Sequence, residues 1–243
     1  MISILRKSLS EMIGTYVFVL FGPGSIVAFM AVFSQTLNPS TLFFSAVTFG
    51  LGISIGIMAV ANISGGHVNP AVTIAMFIVG RFPGKHVIPY IIAQLIGAVL
   101  ASATVGLLFG YNVANSVQFG ATIPGTRGPW IAFAGELIMT FFFLWTIMGI
   151  TSRTDNTAII AVVIGIYVSI MIFMLATVSG GSINPARSFG PAVLSGILFK
   201  GQYYQWIYWI APILGGSLGA LSYKFMYGEK GKIHYDPPKS TSN

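Results

Sequence analysis

Ser64-Gly65-Gly66-His67-Val68-Asn69-Pro70-Ala71 returns 115 positions later as Ser179-Gly180-Gly181-Ser182-Ile183-Asn184-Pro185-Ala186. The match extends backwards. Laying 46–71 on 161–186 without gaps pairs Ala46-Val47 with Ala161-Val162, Gly50 with Gly165, Ser54-Ile55 with Ser169-Ile170, and Ile57 with Ile172. Thirteen of the twenty-six positions are identical, in an order that apolar low complexity does not produce. The flanks repeat too. Glu11-Met12-Ile13-Gly14-Thr15 resembles Glu136-Leu137-Ile138-Met139-Thr140, and Tyr90 followed by Gly97 answers to Tyr208 followed by Gly215. The chain is an internal duplication.

The composition says where the duplicated units reside. Of 243 residues, 12 are Lys or Arg and 5 are Asp or Glu, 7% in all, against ~25% in soluble domains. The hydrophobic fraction is 55%. A soluble globule would lack polar residues to cover its surface, and a disordered chain or collagenous rod is equally excluded. The net charge of +7 suggests a polyanion partner until the charges are located. None lies between Glu11 and Arg81 or between Lys85 and Arg127, and 137–152, 156–186 and 201–223 are also free of them. A nucleic-acid partner is therefore excluded.

A membrane core of ~30 Å needs ~20 apolar residues per helix. Gly, Pro and polar breaks divide the chain into six such spans, at 9–33, 41–63, 87–109, 130–150, 157–178 and 203–227. Two further apolar stretches, 69–79 and 184–195, are too short to cross. Barrel-type alternation is absent, so the fold class is all-α and membrane-spanning. With the N-terminus inside, nine of twelve cations (Arg6, Lys7, Arg81, Lys85, Arg153, Lys224, Lys230, Lys232 and Lys239) fall on the cytoplasmic side, as the positive-inside rule asks. Both termini are then cytoplasmic, in a multi-pass protein of the plasma or inner membrane. Residues 1–227 form one transmembrane domain, built of repeats over 8–109 and 130–227 joined by a loop at 110–129. Residues 228–243 form a polar cytoplasmic tail. With no Cys, thiolate metal sites and disulfides are excluded, and three His in the whole chain make no metal constellation. No cofactor is expected.

Each half holds three spans and one short stretch, so the second half enters the membrane inverted relative to the first. The short stretches then dip in from opposite faces. Asn69 and Asn184 are natural N-caps, and Pro70 and Pro185 suit the first helical turn, where the missing N–H costs nothing. A half-helix of 10–11 residues rises ~16 Å. Two of them meet near the midplane at their N-termini, whose dipoles repel cations. Non-helical backbone at that depth must be packed by protein or line an aqueous path. Gly65, Gly66 and His67, with Gly180, Gly181 and Ser182, supply it.

On these motifs, and on the downstream Arg187-Ser188-Phe189-Gly190, the sequence resembles the aquaporin or major intrinsic protein family over about 1–227. The resemblance implies an aquaporin-like right-handed bundle of six transmembrane helices and two re-entrant half-helices, one pore per subunit of a homotetramer, embedded in membrane lipid. It implies that Asn69, Pro70, Ala71, Asn184, Pro185 and Ala186 form the pore centre. It also places an aromatic/arginine filter at Phe49, Ile172, Gly181 and Arg187. Strict water channels carry His where this chain has Ile172, so the opening is expected to be wider and less polar, as in archaeal-type aquaporins. Ser188, Ala192, Tyr208 and Trp209, by contrast, resemble water channels rather than glycerol facilitators.

An intramembrane carboxylate is a proton-relay candidate. Glu11 and Glu136 therefore keep a coupled secondary transporter open as a remote alternative. The family reading makes them braces for the re-entrant loops, with Gln94 in a similar role. Arg187 both repels cations and ties down loop carbonyls, and His67 lines the path. No nucleophile–base pair or phosphate loop suggests an enzyme. The expected function is a passive channel for water, with leak of glycerol and other small neutral solutes and exclusion of protons and ions. A channel mainly for glycerol is the alternative.

Overall fold

The computed structural model describes residues 2–33 and 38–228; the tail expected beyond 228 lies outside them. The regular elements among the described residues are all helices, without strands. In chain order the helices are α1 (Ile4–Phe33), α2 (Pro39–Ser64), α3 (Pro70–Ile78), α4 (Val87–Phe109), α5 (Tyr111–Ser116), α6 (Pro129–Thr151), α7 (Thr157–Leu175), α8 (Pro185–Leu194) and α9 (Ile207–Tyr227). The six expected spans correspond to α1, α2, α4, α6, α7 and α9, and the two short stretches to α3 and α8. Boundaries shift by a few residues. α1 starts at Ile4, ahead of the apolar run, because Arg6 and Lys7 continue the helix. α7 ends at Leu175 rather than 178.

Length and apolar composition qualify five of these helices to cross a membrane. α9 is not among them, although it has 21 residues. Its sequence is diluted by Pro212, Gly215, Gly216, Ser217 and Gly219, and the glycines are there for packing. A Cβ on Gly215 would collide with the Leu137 carbonyl, and one on Gly219 with the Phe141 carbonyl. Small residues that let backbones approach are the usual currency of helix contact in lipid, where burial of apolar surface gives no drive. The first half does the same, with Gly97 set against the Met12 carbonyl.

α1 packs on α2 and α4, α6 on α7 and α9, and the halves join where α2 crosses α7. Gly50 and Gly165, partners in the repeat, meet at that crossing. A Cβ on Gly50 would strike Ser169 Oγ and the Gly165 carbonyl; one on Gly165 would strike Ser54 Oγ and the Gly50 carbonyl. Large apolar side chains such as Leu51, Ile92, Phe142 and Ile170 stand exposed on the outside, as a lipid-facing surface requires. The charged side chains buried among the described residues are Glu11, Glu136 and Arg187.

The segment between the halves differs from the loop expected at 110–129. It contains α5 and a short 3-10 turn at Gln118–Gly120, and Phe119, Gly120 and Thr122 are buried. Gly120 (φ +71°) lies against the Pro23 backbone of α1, so this segment is packed into the bundle rather than floating over it.

Gly50→Ala is expected to lower stability by about 1–3 kcal/mol through overpacking, read as a fall in the thermal unfolding midpoint in detergent. Gly149→Ala is the control, because its Cβ would meet only Tyr223, at ordinary contact distance of 3.8 Å.

Candidate functional site

α3 and α8 meet head to head. Asn69 Oδ1 accepts from Ala71 N at 2.8 Å, and Asn184 Oδ1 accepts from Ala186 N at 3.0 Å and Arg187 N at 3.3 Å. Each asparagine thus caps its own half-helix. The amide nitrogens reach across: Asn69 Nδ2 donates to the Ile183 carbonyl and Asn184 Nδ2 to the Val68 carbonyl, both at 2.9 Å. One N–H of each amide is thereby committed to the opposite loop, and each amide carries a second N–H.

The loops entering the caps hold a strained conformation twice over. Gly66 and Gly181 have φ of +64° and +65°, and Val68 and Ile183 have φ of +47° and +49°. A β-branched residue in that region is uncommon and must be held there. The holders are the two carboxylates. Glu11 accepts from His67 N (3.0 Å), Val68 N (2.7 Å) and Gln94 Nε2 (2.8 Å). Glu136 accepts from Ser179 Oγ (2.6 Å), Ser182 N (2.8 Å) and Ile183 N (2.6 Å). Tyr90 and Tyr208 complete the braces, donating to the Ser64 and Ser179 carbonyls at 2.8 Å each. Each buried carboxylate thus accepts three hydrogen bonds, two of them from consecutive backbone N–H groups of its loop. That occupies both groups structurally.

Phe49, Ile172, Gly181 and Arg187 converge at one level. Arg187 is 1% exposed. Its Nε donates to the Gly181 carbonyl at 2.9 Å and its Nη1 to the Gly120 carbonyl at 2.7 Å. The guanidinium carbon lies 4.7 Å from the Phe49 ring centroid, a cation–π arrangement. Ile172 closes on Gly181, where an added Cβ would come within 2.9 Å of Ile172 Cδ1. On the other side of the asparagines a cavity of about 360 Å³ opens, with Gly65, Gly66 and His67 along one wall and Ile57, Phe143 and Ile164 among the apolar residues facing them.

The model of the family described as major intrinsic protein matches residues 1–223. The chain belongs to the major intrinsic protein family. It is 37% identical to aquaporin AqpM of Methanothermobacter marburgensis, over 94% of this chain and the whole of that protein. It is 35% identical to the glycerol uptake facilitator protein-like 6 of Lactiplantibacillus plantarum, over 93% of this chain and the whole of that one. Among solved structures, the X-ray structure of the aquaglyceroporin from Plasmodium falciparum superposes with a TM-score of 0.83 at 26% identity, covering 91% of this chain and 96% of that one. Members of the major intrinsic protein family are membrane channels, which fits the apolar exterior and the buried half-helices.

Within this family frame, the residues singled out from the sequence fall together in space. The Asn-Pro-Ala pairs, both carboxylates, Gln94 and the four filter positions are joined by the hydrogen bonds and contacts described above. Gly180 differs from the others: its Cα side faces Thr122 and Ile123. Three contributors went unnoticed in the sequence. The Gly120 carbonyl carries no side-chain signal at all. Thr122 donates to Ser188 Oγ at 2.7 Å, and Thr73 joins His67 and Gln94. Thr73 was in principle readable, since the repeat pairs it with Ser188.

Replacing Glu136 by Gln puts an NH2 where an N–H now donates, so at least one buried donor loses its acceptor. A loss of about 1–3 kcal/mol is expected, measured as thermal unfolding of the purified protein, with Glu11→Gln behaving alike.

Proposed function

We propose that this channel conducts water passively, leaks glycerol and other small neutral solutes, and excludes ions and protons. One observation carries the reading: two half-helix N-termini converge, joined by reciprocal asparagine bonds, between a filter on one side and a half-apolar cavity on the other. Helix N-termini concentrate positive potential there, and Arg187 adds a full charge. Cations, hydronium included, meet a barrier. A neutral solute meets the free N–H groups of Asn69 and Asn184 and otherwise smooth walls, so it binds weakly and passes quickly.

The filter sets the size limit. Phe49 and Arg187 keep one side narrow, while Ile172 and Gly181 contribute an aliphatic chain and no side chain. Relatives named as aquaporins and as a glycerol facilitator stand at similar identity, which supports a mixed range. Water is placed first because Ser188 and Tyr208 act as braces here, through Thr122 and the Ser179 carbonyl, and resemble water-channel positions. A channel mainly for glycerol is the second reading, favoured by Ile172.

The remaining assignments are part of the same proposal. Residues 1–227 act as one channel domain and assemble as a homotetramer in the plasma or inner membrane, both termini cytoplasmic. The protein is a channel rather than an enzyme or a coupled transporter; the carboxylates that a transporter would use are filled by loop N–H groups.

Stopped-flow swelling of vesicles reconstituted with the protein is expected to show water flux well above that of empty vesicles, with slower, unsaturated glycerol flux and no response from an entrapped proton dye. Equal water flux with and without protein would sink the reading, and glycerol outrunning water would reverse the ranking. Ile172→His narrows the filter and is expected to cut glycerol flux while sparing water flux.

A further inference from the structure

Thr73 sits where two side chains compete for one hydroxyl. Its Oγ1 donates to the Asn69 carbonyl at 3.0 Å. Gln94 Nε2 donates to Thr73 Oγ1 at 3.1 Å and to Glu11 Oε2 at 2.8 Å. The amide cannot be turned round, because Gln94 Oε1 would then face the carboxylate. His67 Nδ1 lies 3.1 Å from the same Thr73 oxygen. A hydroxyl has one proton and two lone pairs. With the proton spent on the Asn69 carbonyl and one lone pair on Gln94, the contact with His67 is satisfied when the imidazole is the donor.

We propose that Thr73, anchored through Gln94 to Glu11, is a positioning residue that fixes His67 as the Nδ1–H tautomer, leaving Nε2 as a hydrogen-bond acceptor toward the cavity. His67 lines that cavity, and the ring's Nε2–Cδ2 edge faces Gly65, another lining residue. The proposal rests on the cavity being one half of the water path. It gives that half a side-chain acceptor with a fixed direction. The inverted copy has none: there Thr122, Ser188, Ser182 and the Asn184 carbonyl form a chain of hydroxyls, with no titratable ring.

Protonation would turn the Nε2 acceptor into a charged donor, and charge-assisted bonds to water are roughly twice as strong as neutral ones. Water would be held longer and flux would fall as pH falls through the titration of His67. The other titratable and charged groups around the ring are few. Glu11 accepts the His67 backbone N–H, Arg81 lines the cavity, Tyr90 packs on the ring at 5.6 Å, and His86 packs on Phe82 and Tyr90. α2, α6 and α7 face the cavity with apolar and hydroxyl side chains.

The test is 15N spectroscopy of histidine-labelled protein, with His67→Ala to assign the signal, run beside water flux from pH 5 to 8. Wild type is expected to show the Nδ1–H pattern at neutral pH and an acid-side fall in flux that His67→Ala abolishes. Thr73→Ser should keep both. Thr73→Val should mix the tautomers and move the fall to lower pH, since the protonated ring loses its acceptor. An Nε2–H pattern in wild type, or a Thr73→Val protein indistinguishable from wild type, overturns the proposal. The tautomer is read without transport, so a protein that conducts no water would defeat the channel reading and leave this result standing on its own.

Discussion

Peptide groups outside a helix cannot be left bare at the centre of a bilayer, where no water competes for them and each unpaired N–H or C=O costs several kcal/mol. The architecture answers that constraint twice, by the same means. Each re-entrant loop hands two consecutive backbone N–H groups to a buried carboxylate and one carbonyl to a tyrosine hydroxyl. Its last carbonyl goes to the asparagine of the opposite loop. Neither loop is satisfied without the other. The reciprocal asparagine bond therefore fixes the separation of the two half-helices.

The duplication made this plan legible. Two copies of Ser-Gly-Gly and Asn-Pro-Ala, with Glu11 and Glu136 at matched positions, say that one loop geometry occurs twice, and the odd span count says that the copies are inverted. The asparagines, carboxylates and Arg187 could be found because each carries its chemistry in its identity, whereas Thr73 and Thr122 are ordinary hydroxyls until their partners are seen. What stayed hidden belongs to the backbone or to tertiary contact. The Gly120 carbonyl that holds Arg187 could be any residue's carbonyl, and the turn that aims it arises from close packing on Pro23. α9 was legible as a span although the glycines that let it approach the α6 backbone lower its apolar content.

Function comes from the places where the two copies part. The repeat aligns Arg187 with Val72, and Ser182 with His67. One half therefore presents a guanidinium against an aromatic ring, while the other presents an isopropyl group and an imidazole lining a cavity. The backbone cradle is common to both; the side chains it presents are not. A symmetric cradle tolerates this because the bracing bonds run through backbone N–H groups, which every residue type except proline supplies.

α3 packs against α9, and Lys224 near the end of α9 donates to the Val79 carbonyl at the end of α3, at 3.1 Å. α8 packs in turn against α4. Each half-helix is thus covered by the half of the chain to which it does not belong. For a polypeptide made from its N-terminus, α3 has no final seat until the last span has been synthesised some 145 residues later. Within its own half α3 has α4 and the Gln94 bond to Thr73 to hold it, so the seat of each half-helix is completed by the other repeat.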